Sequence, residues 1–333
     1  MPPSVLFLCF MYEQRKFTEI SKEKGAMKKK VDVIIPVYKP DERFAKLMTR
    51  LQRQSYPIHR IILMNTEEEY WKPQYIADMP NVEVHHLTKA EFDHGGTRKA
   101  AAAMSKADIF VCMTQDAVPY DPKLVEHLVS CFEFEGVKAA YARQLPAYDC
   151  GTMERYTREF NYPDHSFVKS NSDLEKMGIK TYFCSNVCAA YEKSAYDELG
   201  GFISRAIFNE DMIYAAKVIQ AGYKIAYCAE ACVIHSHNYN CRQQFHRNFD
   251  LGVSQAEHPE VFAEVPSEGE GMKLVRQSAG YAWSLRRPDL LVSLFLQSGF
   301  KYMGYFLGKH YQKLPKSIIL RCTMNREYWT FQG

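Results

Sequence analysis

From Val31 onward the chain alternates between two hydrophobic periods, and this alternation narrows the choice of folds more than any other feature. Residues 31–37 are a nearly continuous β-branched run closed by Tyr38-Lys39-Pro40, after which Phe44, Leu47, Met48 and Leu51 recur at helical spacing. The cycle repeats. A strand at 60–64 ends at Asn65, a second covers 82–87, an alanine-rich helix spans 97–106, and Asp108-Ile109-Phe110-Val111-Cys112-Met113 forms a further strand. Strands joined by helical crossovers predict an α/β fold with a mostly parallel, doubly wound central sheet flanked by helices. Beyond Asp116 the pattern predicts a helix at 124–134, a strand at 137–143, a buried strand at 182–191, a helix at 212–221 and a strand at 224–234. Residues 148–177 are polar and aromatic with no sustained period, as expected of a binding-loop region.

The last section reads as helices at 274–285 and 289–314, the second interrupted by Gly299, Gly304 and Gly308. Its charge is lopsided: residues 271–333 hold ten basic side chains and two acidic ones, about +8, in a chain whose net charge is only +3. Two readings fit: helices packed on the main domain with a solvated basic face, or an interfacial helix resting on anionic lipid. The small net charge argues against a nucleic-acid partner. With 333 residues and 47% hydrophobic content, a disordered chain is excluded. The expected organisation is an upstream extension at 1–26, a main domain at 27–260 and a basic, aromatic-rich helical region at 261–333.

Ten cysteines are scattered without paired CxxC spacing, which suits small buried hydrophobes in a reducing cytosol. Val5-Leu6-Phe7-Leu8-Cys9-Phe10 is too short for a membrane span and lacks the flanks of a secretion signal. A cytoplasmic location follows as the expectation, with contact at the inner face of the membrane under the lipid reading.

Chemistry-bearing clusters recur where strands end: Pro36-Val37-Tyr38, Asn65-Thr66, Phe92-Asp93-His94-Gly95-Gly96-Thr97-Arg98 and Thr114-Gln115-Asp116. In a parallel sheet those ends share one edge, so the clusters converge on a ligand. The Gly95-Gly96 turn opens a helix that lets backbone approach a phosphate, with Arg98 adding a cation. Asp116 by itself also fits an ordinary turn. Asn209-Glu210-Asp211 precedes a helix, where two carboxylates serve as caps or, kept ionised by the helix dipole, as a general base. His235 and His237 point to one face of a strand, which suits a ligand for a divalent cation, with Asp116, beside a diphosphate.

Taken in order, these motifs resemble inverting family-2 glycosyltransferases of the GT-A fold. Val31 to Tyr38 is similar to that family's opening strand, and Asp116, Glu210-Asp211 and His235 follow the order of its DxD element, xED motif and C-terminal histidine. Phe92 to Arg98, Arg143-Gln144-Leu145-Pro146, Phe160-Asn161-Tyr162-Pro163, Ser185-Asn186-Val187 and His235 to Tyr239 resemble bacterial rhamnosyltransferases of cell-surface polysaccharide assembly. The resemblance implies a nucleotide-sugar donor, dTDP-L-rhamnose, bound by Pro36, Tyr38, Asn65, Asp93, Arg98, Gln115 and Asp116. It further implies Mg2+ or Mn2+ on Asp116 and His235, Asp211 as base with Glu210 beside it, and a saccharide or lipid-linked acceptor near Arg143, Tyr162, Asn186 and His237. Tyr148, Tyr156, Tyr162 and Tyr182 offer sugar-stacking faces. Thr114 stands where the first DxD carboxylate is usual. A sugar nucleotidyltransferase would need a glycine-rich, lysine-bearing loop after the first strand, and none is present; a non-catalytic carbohydrate-binding protein finds its support in Thr114.

Overall fold

The computed structural model describes residues 28–263, 265 and 268–330, so the expected extension at 1–26 lies outside the described residues. Strands β1 (Val31–Tyr38), β2 (Arg60–Thr66), β3 (Val82–Leu87) and β4 (Ile109–Met113) pair in parallel, in the order β3-β2-β1-β4. Helix α1 (Glu42–Leu51) links β1 to β2; Asp41 caps it by accepting from the backbone of Arg43 and Phe44. Its buried stripe is Phe44, Leu47, Met48 and Leu51, the positions its period marked. Helix α2 (His94–Met104) links β3 to β4.

The sheet continues beyond β4 through β5 (Val118–Pro119), β6 (Val137–Leu145), β7 (Phe167–Lys169), β8 (Cys188–Glu192) and β9 (Lys224–Ile234). β8 lies antiparallel between β4 and β6, β9 is parallel to β6, and β5 and β7 both pair antiparallel with β9. Six of the nine strands among the described residues therefore run one way. Side chains alternate between two cores: Val31, Val33, Ile35 and Val37 pack with α1 and α3 (Leu124–Ser130) on one face. On the other, Ile34, Phe110 and Tyr191 pack with α2 and α5 (Glu210–Gln220). The sheet is doubly wound.

Several expectations change. The strand expected at 182–191 is only Cys188–Glu192, and Gly178–Tyr182 is a 3-10 turn. The backbone between them divides its hydrogen bonds between local turns, Thr114 and side chains. Lys169 Nζ donates to the carbonyls of Lys180 and Phe183, and the Asn186 N–H goes to the Asp211 carboxylate. The aperiodic stretch contains a ten-residue helix, α4 (Thr152–Asn161), whose Tyr156 stacks on Tyr281 at 4.3 Å. An unanticipated helix, α6 (Cys241–Glu257), begins with a capping box in which Asn240 and Gln243 satisfy each other's backbone N–H.

The C-terminal helices are α7 (Glu268–Ser284), α8 (Pro288–Lys309) and α9 (Lys316–Cys322). The second ends at Lys309 and gives way to a 3-10 turn at Tyr311–Lys313. Two of its glycines are contact points rather than interruptions. A Cβ on Gly304 would lie 2.2 Å from the Phe245 carbonyl oxygen, and one on Gly308 would lie 2.1 Å from that of Phe249. Gly299 faces open space.

Candidate active site

The order β3-β2-β1-β4 reverses direction between β1 and β4, the place where an open α/β sheet binds ligands in the crevice beyond the carboxyl ends of its strands. The β1–β4 ladder ends at Ile34↔Cys112, whereas β1 stays paired with β2 through Tyr38. Pro36, lacking an N–H, sits where the second ladder has stopped. Gln115 bridges the gap: its amide accepts from the Tyr38 N–H at 2.8 Å and donates to the Tyr38 carbonyl at 2.9 Å. Gln115, expected at the nucleotide sugar, is here a brace that holds the two strand ends together. Tyr38 remains exposed, its ring edge-on to Tyr70 at 5.8 Å with Lys39 over both, a wall at the mouth of the crevice.

Asp116 follows in a turn closed by the Ala117 N–H on the Thr114 carbonyl. Pairing of Val118 with Ile234 in β5 and β9 brings this turn beside His235. Asp116 lies 3.6 Å from His235 Nε2 and 3.4 Å from His237 Nε2. Their ligand atoms all fall within 4.8 Å of one another. His237, expected near an acceptor, therefore joins Asp116 and His235.

Burial pushes His235 down to about 3 against the pull of Asp116, so its imidazole is neutral at physiological pH. Burial alone would raise Asp116, but the two histidines and the Thr114 hydroxyl outweigh it and lower the carboxyl. Gln144 is the hub behind the site. Its Nε2 donates to Ser185 Oγ at 3.1 Å, and its Oε1 accepts from Arg158 and, at 2.9 Å, from His235 Nδ1. With the proton on Nδ1, the His235 Nε2 lone pair faces Asp116. One carboxylate and two imidazoles at this spacing fit a divalent cation.

The second constellation is the start of α5. Asn209 adopts φ 63°, ψ 20°, a left-handed conformation that asparagine tolerates, and turns the chain into the helix. Glu210 is buried, 3.1 Å from Arg98, and accepts from Asn186 Nδ2 at 3.0 Å. Asp211 keeps part of its surface open. It accepts the Asn186 N–H at 2.9 Å and its own helix's Met212 N–H at 2.8 Å. Burial, followed by the adjacent Glu210 charge, pushes Asp211 up to about 7, while Arg98 and His94 outweigh burial and hold Glu210 below its usual range. An accessible carboxylate near neutrality is suited to take a proton; its buried neighbour is suited to hold an ion pair.

Other expected site residues are placed differently. Arg98 is buried, committed to Glu210 and to the His94 carbonyl, and is not free for a diphosphate. Asp93 caps α2 through Gly95 and ties in the backbone N–H groups of Arg205 and Ala206. Asn65 is fully buried, its Nδ2 engaged by the Glu67 carbonyl and His86. Arg143 alternates with Gln144 along β6 and so points away from His235; its charge is felt at Asp164, Tyr227 and Cys232. Tyr162 and Tyr182 are buried, Tyr156 is covered by Tyr281, and Tyr148 alone of the four tyrosines is fully exposed. Asn186, also buried, positions the two acids rather than meeting an acceptor.

Two cations went unrecognised in the sequence. Arg158 of α4 is held by Glu154 and Gln144, and exposed Arg247 of α6 lies 4.6 Å from the Phe208 ring; the charges of both are felt at His235 and His237. Their signals were the i,i+4 pair Glu154–Arg158 and the capping box ahead of Arg247.

The sequence model described as "Glycosyl transferase family 2" matches residues 32–200. The chain is 38% identical over 303 residues to the O-antigen chain rhamnosyltransferase RfbN of Salmonella typhimurium, covering 90% of this chain and 96% of that protein. It belongs to glycosyl transferase family 2. The O-antigen chain rhamnosyltransferase WbaN of Salmonella anatum is 37% identical over 300 residues, covering 89% of this family 2 chain and 95% of its own. Among solved structures, the mannosyltransferase PcManGT from Pyrobaculum calidifontis, in complex with GDP-Man and Mn2+, shares the fold with a TM-score of 0.55 at 13% identity, covering 92% and 93% of the two chains. The family 2 chain is accordingly a glycosyltransferase of the GT-A type.

Proposed function

We propose that this glycosyltransferase moves L-rhamnose from dTDP-L-rhamnose to a saccharide or lipid-linked acceptor, with inversion, during assembly of a cell-surface polysaccharide on the cytoplasmic side of the membrane. The observation that carries the proposal is the likeness to RfbN along nearly the whole of both chains. The catalytic unit is taken as residues 27–260, with 261–333 as a basic helical appendage.

In this reading Tyr38 and Tyr70 flank the nucleobase at the switch-point crevice. Asp116, His235 and His237 would hold a divalent cation, Mg2+ or Mn2+, and Gln144 would fix the tautomer that leaves His235 Nε2 free to ligate it. When bound, the cation supplies Lewis-acid stabilisation of charge on the departing diphosphate. Arg247 and Arg158 supply fixed positive charge on the same side, since Arg98 is taken by Glu210. Asp211 accepts the proton of the acceptor hydroxyl as that oxygen attacks the anomeric carbon; the C–O bond to the diphosphate breaks on the opposite face, inverting the centre. Asn186 and Glu210 hold Asp211 in place.

The test is thermal unfolding of the protein with a panel of nucleotide sugars, with and without Mn2+. Because a ligand stabilises the folded state by mass action, a Mn2+-dependent rise confined to dTDP-L-rhamnose supports the donor assignment. A larger rise with another nucleotide sugar replaces the donor, and no rise with any of them rejects the reading.

A further inference from the structure

Helix α8 has two opposed apolar faces. One is the glycine face, where Gly304 and Gly308 bring its backbone against that of α6. The other is a stripe of Val292, Phe295, Leu296, Tyr302 and Phe306, each at least 49% exposed, with Tyr302 and Phe306 stacked along it. Trp283, 73% exposed, is a further large apolar side chain at the end of the preceding helix α7. A soluble surface rarely shows so many large apolar side chains in one line without a partner.

The stripe has a charge pattern of its own. Between Asp289 and Lys309 the sole charged residue is Lys301, which is off the stripe and whose ammonium is pushed down by burial. Exposed Arg286 and Arg287, the latter paired with Asp289, stand at the turn before the helix, Lys309 is its last residue, and Lys313 and Lys316 follow its end. From Val292 to Phe306 the stripe is roughly 21 Å long at about 1.5 Å per residue. No helix among the described residues is long and apolar enough to cross a membrane. An apolar line bounded at both ends by cations, with tyrosine among its members and an exposed tryptophan in the helix before it, matches a helix lying in the interface of an anionic bilayer. A second copy of the chain fits less well: with ten basic and two acidic residues in 271–333, two such faces brought together would oppose like charges.

We infer that the outer stripe of α8, with Trp283, docks the protein onto an anionic lipid surface, the helix lying in the plane of the interface. This goes beyond the sugar-transfer reading and is independent of the donor. The test is flotation of the full chain with vesicles of phosphatidylcholine containing about 30% phosphatidylglycerol, against phosphatidylcholine alone. The double variant F295S/L296S, whose parent side chains are exposed, serves as the probe, with an unchanged unfolding temperature and nucleotide binding as controls. The wild-type protein is expected to float with anionic vesicles and to bind neutral ones at least about tenfold more weakly, and F295S/L296S is expected to lose about tenfold or more on the anionic vesicles. Equal binding to both vesicle types, or flotation of the variant equal to that of the parent, overturns the inference. So does a dimer in sedimentation that F295S/L296S dissociates while vesicles capture neither protein, because a second copy then covers the stripe.

Discussion

Replacing Arg98 by methionine separates two roles for this arginine. It lies 3.1 Å from Glu210, both side chains are below 10% exposure, and its NH1 also donates to the His94 carbonyl. Methionine fills similar volume but leaves the Glu210 carboxylate buried, with Asn186 Nδ2 as its remaining hydrogen-bond donor. Breaking a buried ion pair from one side costs about 3–5 kcal/mol. At roughly 2 °C per kcal/mol for a chain of this size, R98M is expected to unfold some 6–10 °C below the parent. Adding Glu210→Gln removes the stranded charge while keeping an acceptor for Asn186, so R98M/E210Q should regain most of the loss. Thermal unfolding of the parent, both single variants and the double variant forms the cycle. An R98M protein within 2 °C of the parent, with donor binding lost instead, would refute the buried pair and return Arg98 to the diphosphate.

Other predictions concern the base, the metal group and the helix contact. Asp211 is a base only when ionised, and because its folded pKa is raised to about 7, kcat/KM should fall about tenfold per pH unit below that value. E210Q, which removes the neighbouring charge, should move this limb to lower pH; a pH profile flat from 5 to 8, roughly one unit and more on either side of the limb, contradicts the assignment. Gln144→Leu leaves His235 Nδ1 without its acceptor, so Mn2+ affinity, read as free Mn2+ by electron paramagnetic resonance, should drop about 10–100-fold. Gly308→Ala drives a Cβ into the Phe249 carbonyl and should cost about 1–3 kcal/mol, whereas Gly299→Ala, facing open space, should be neutral or stabilising; calorimetry checks the contrast.

Where backbone hydrogen bonds stay within regular elements, the sequence was readable. β1, β4 and α1 carry periods that packing merely completes, and Asp116 and His235, paired in the sequence reading, do come together. It was not readable where side chains consume the backbone's hydrogen bonds. Residues 183–187 look like a buried strand, yet Lys169 and Asp211 take up that backbone as a loop, and it is this loop that sets Asn186 on both acids. The partner of Arg98 was hidden for a related reason: only the packing of α2 against α5 reveals that Glu210 neutralises it. Gln115 looked like a ligand contact because it sits at a strand end, but the gap left by the shortened β1–β4 ladder needs its amide. In α8 the glycines looked like breaks because their spacing has meaning only against α6.

The central claim is that Asp211 is the base of the transfer, with the donor held elsewhere. Its most direct test is Asp211→Asn, assayed for release of nucleoside diphosphate with donor, Mn2+ and acceptor, beside the thermal shift with donor alone. The expected result is turnover reduced by about 10²–10⁴-fold or more with the donor-induced shift intact. Turnover close to that of the parent would contradict the claim.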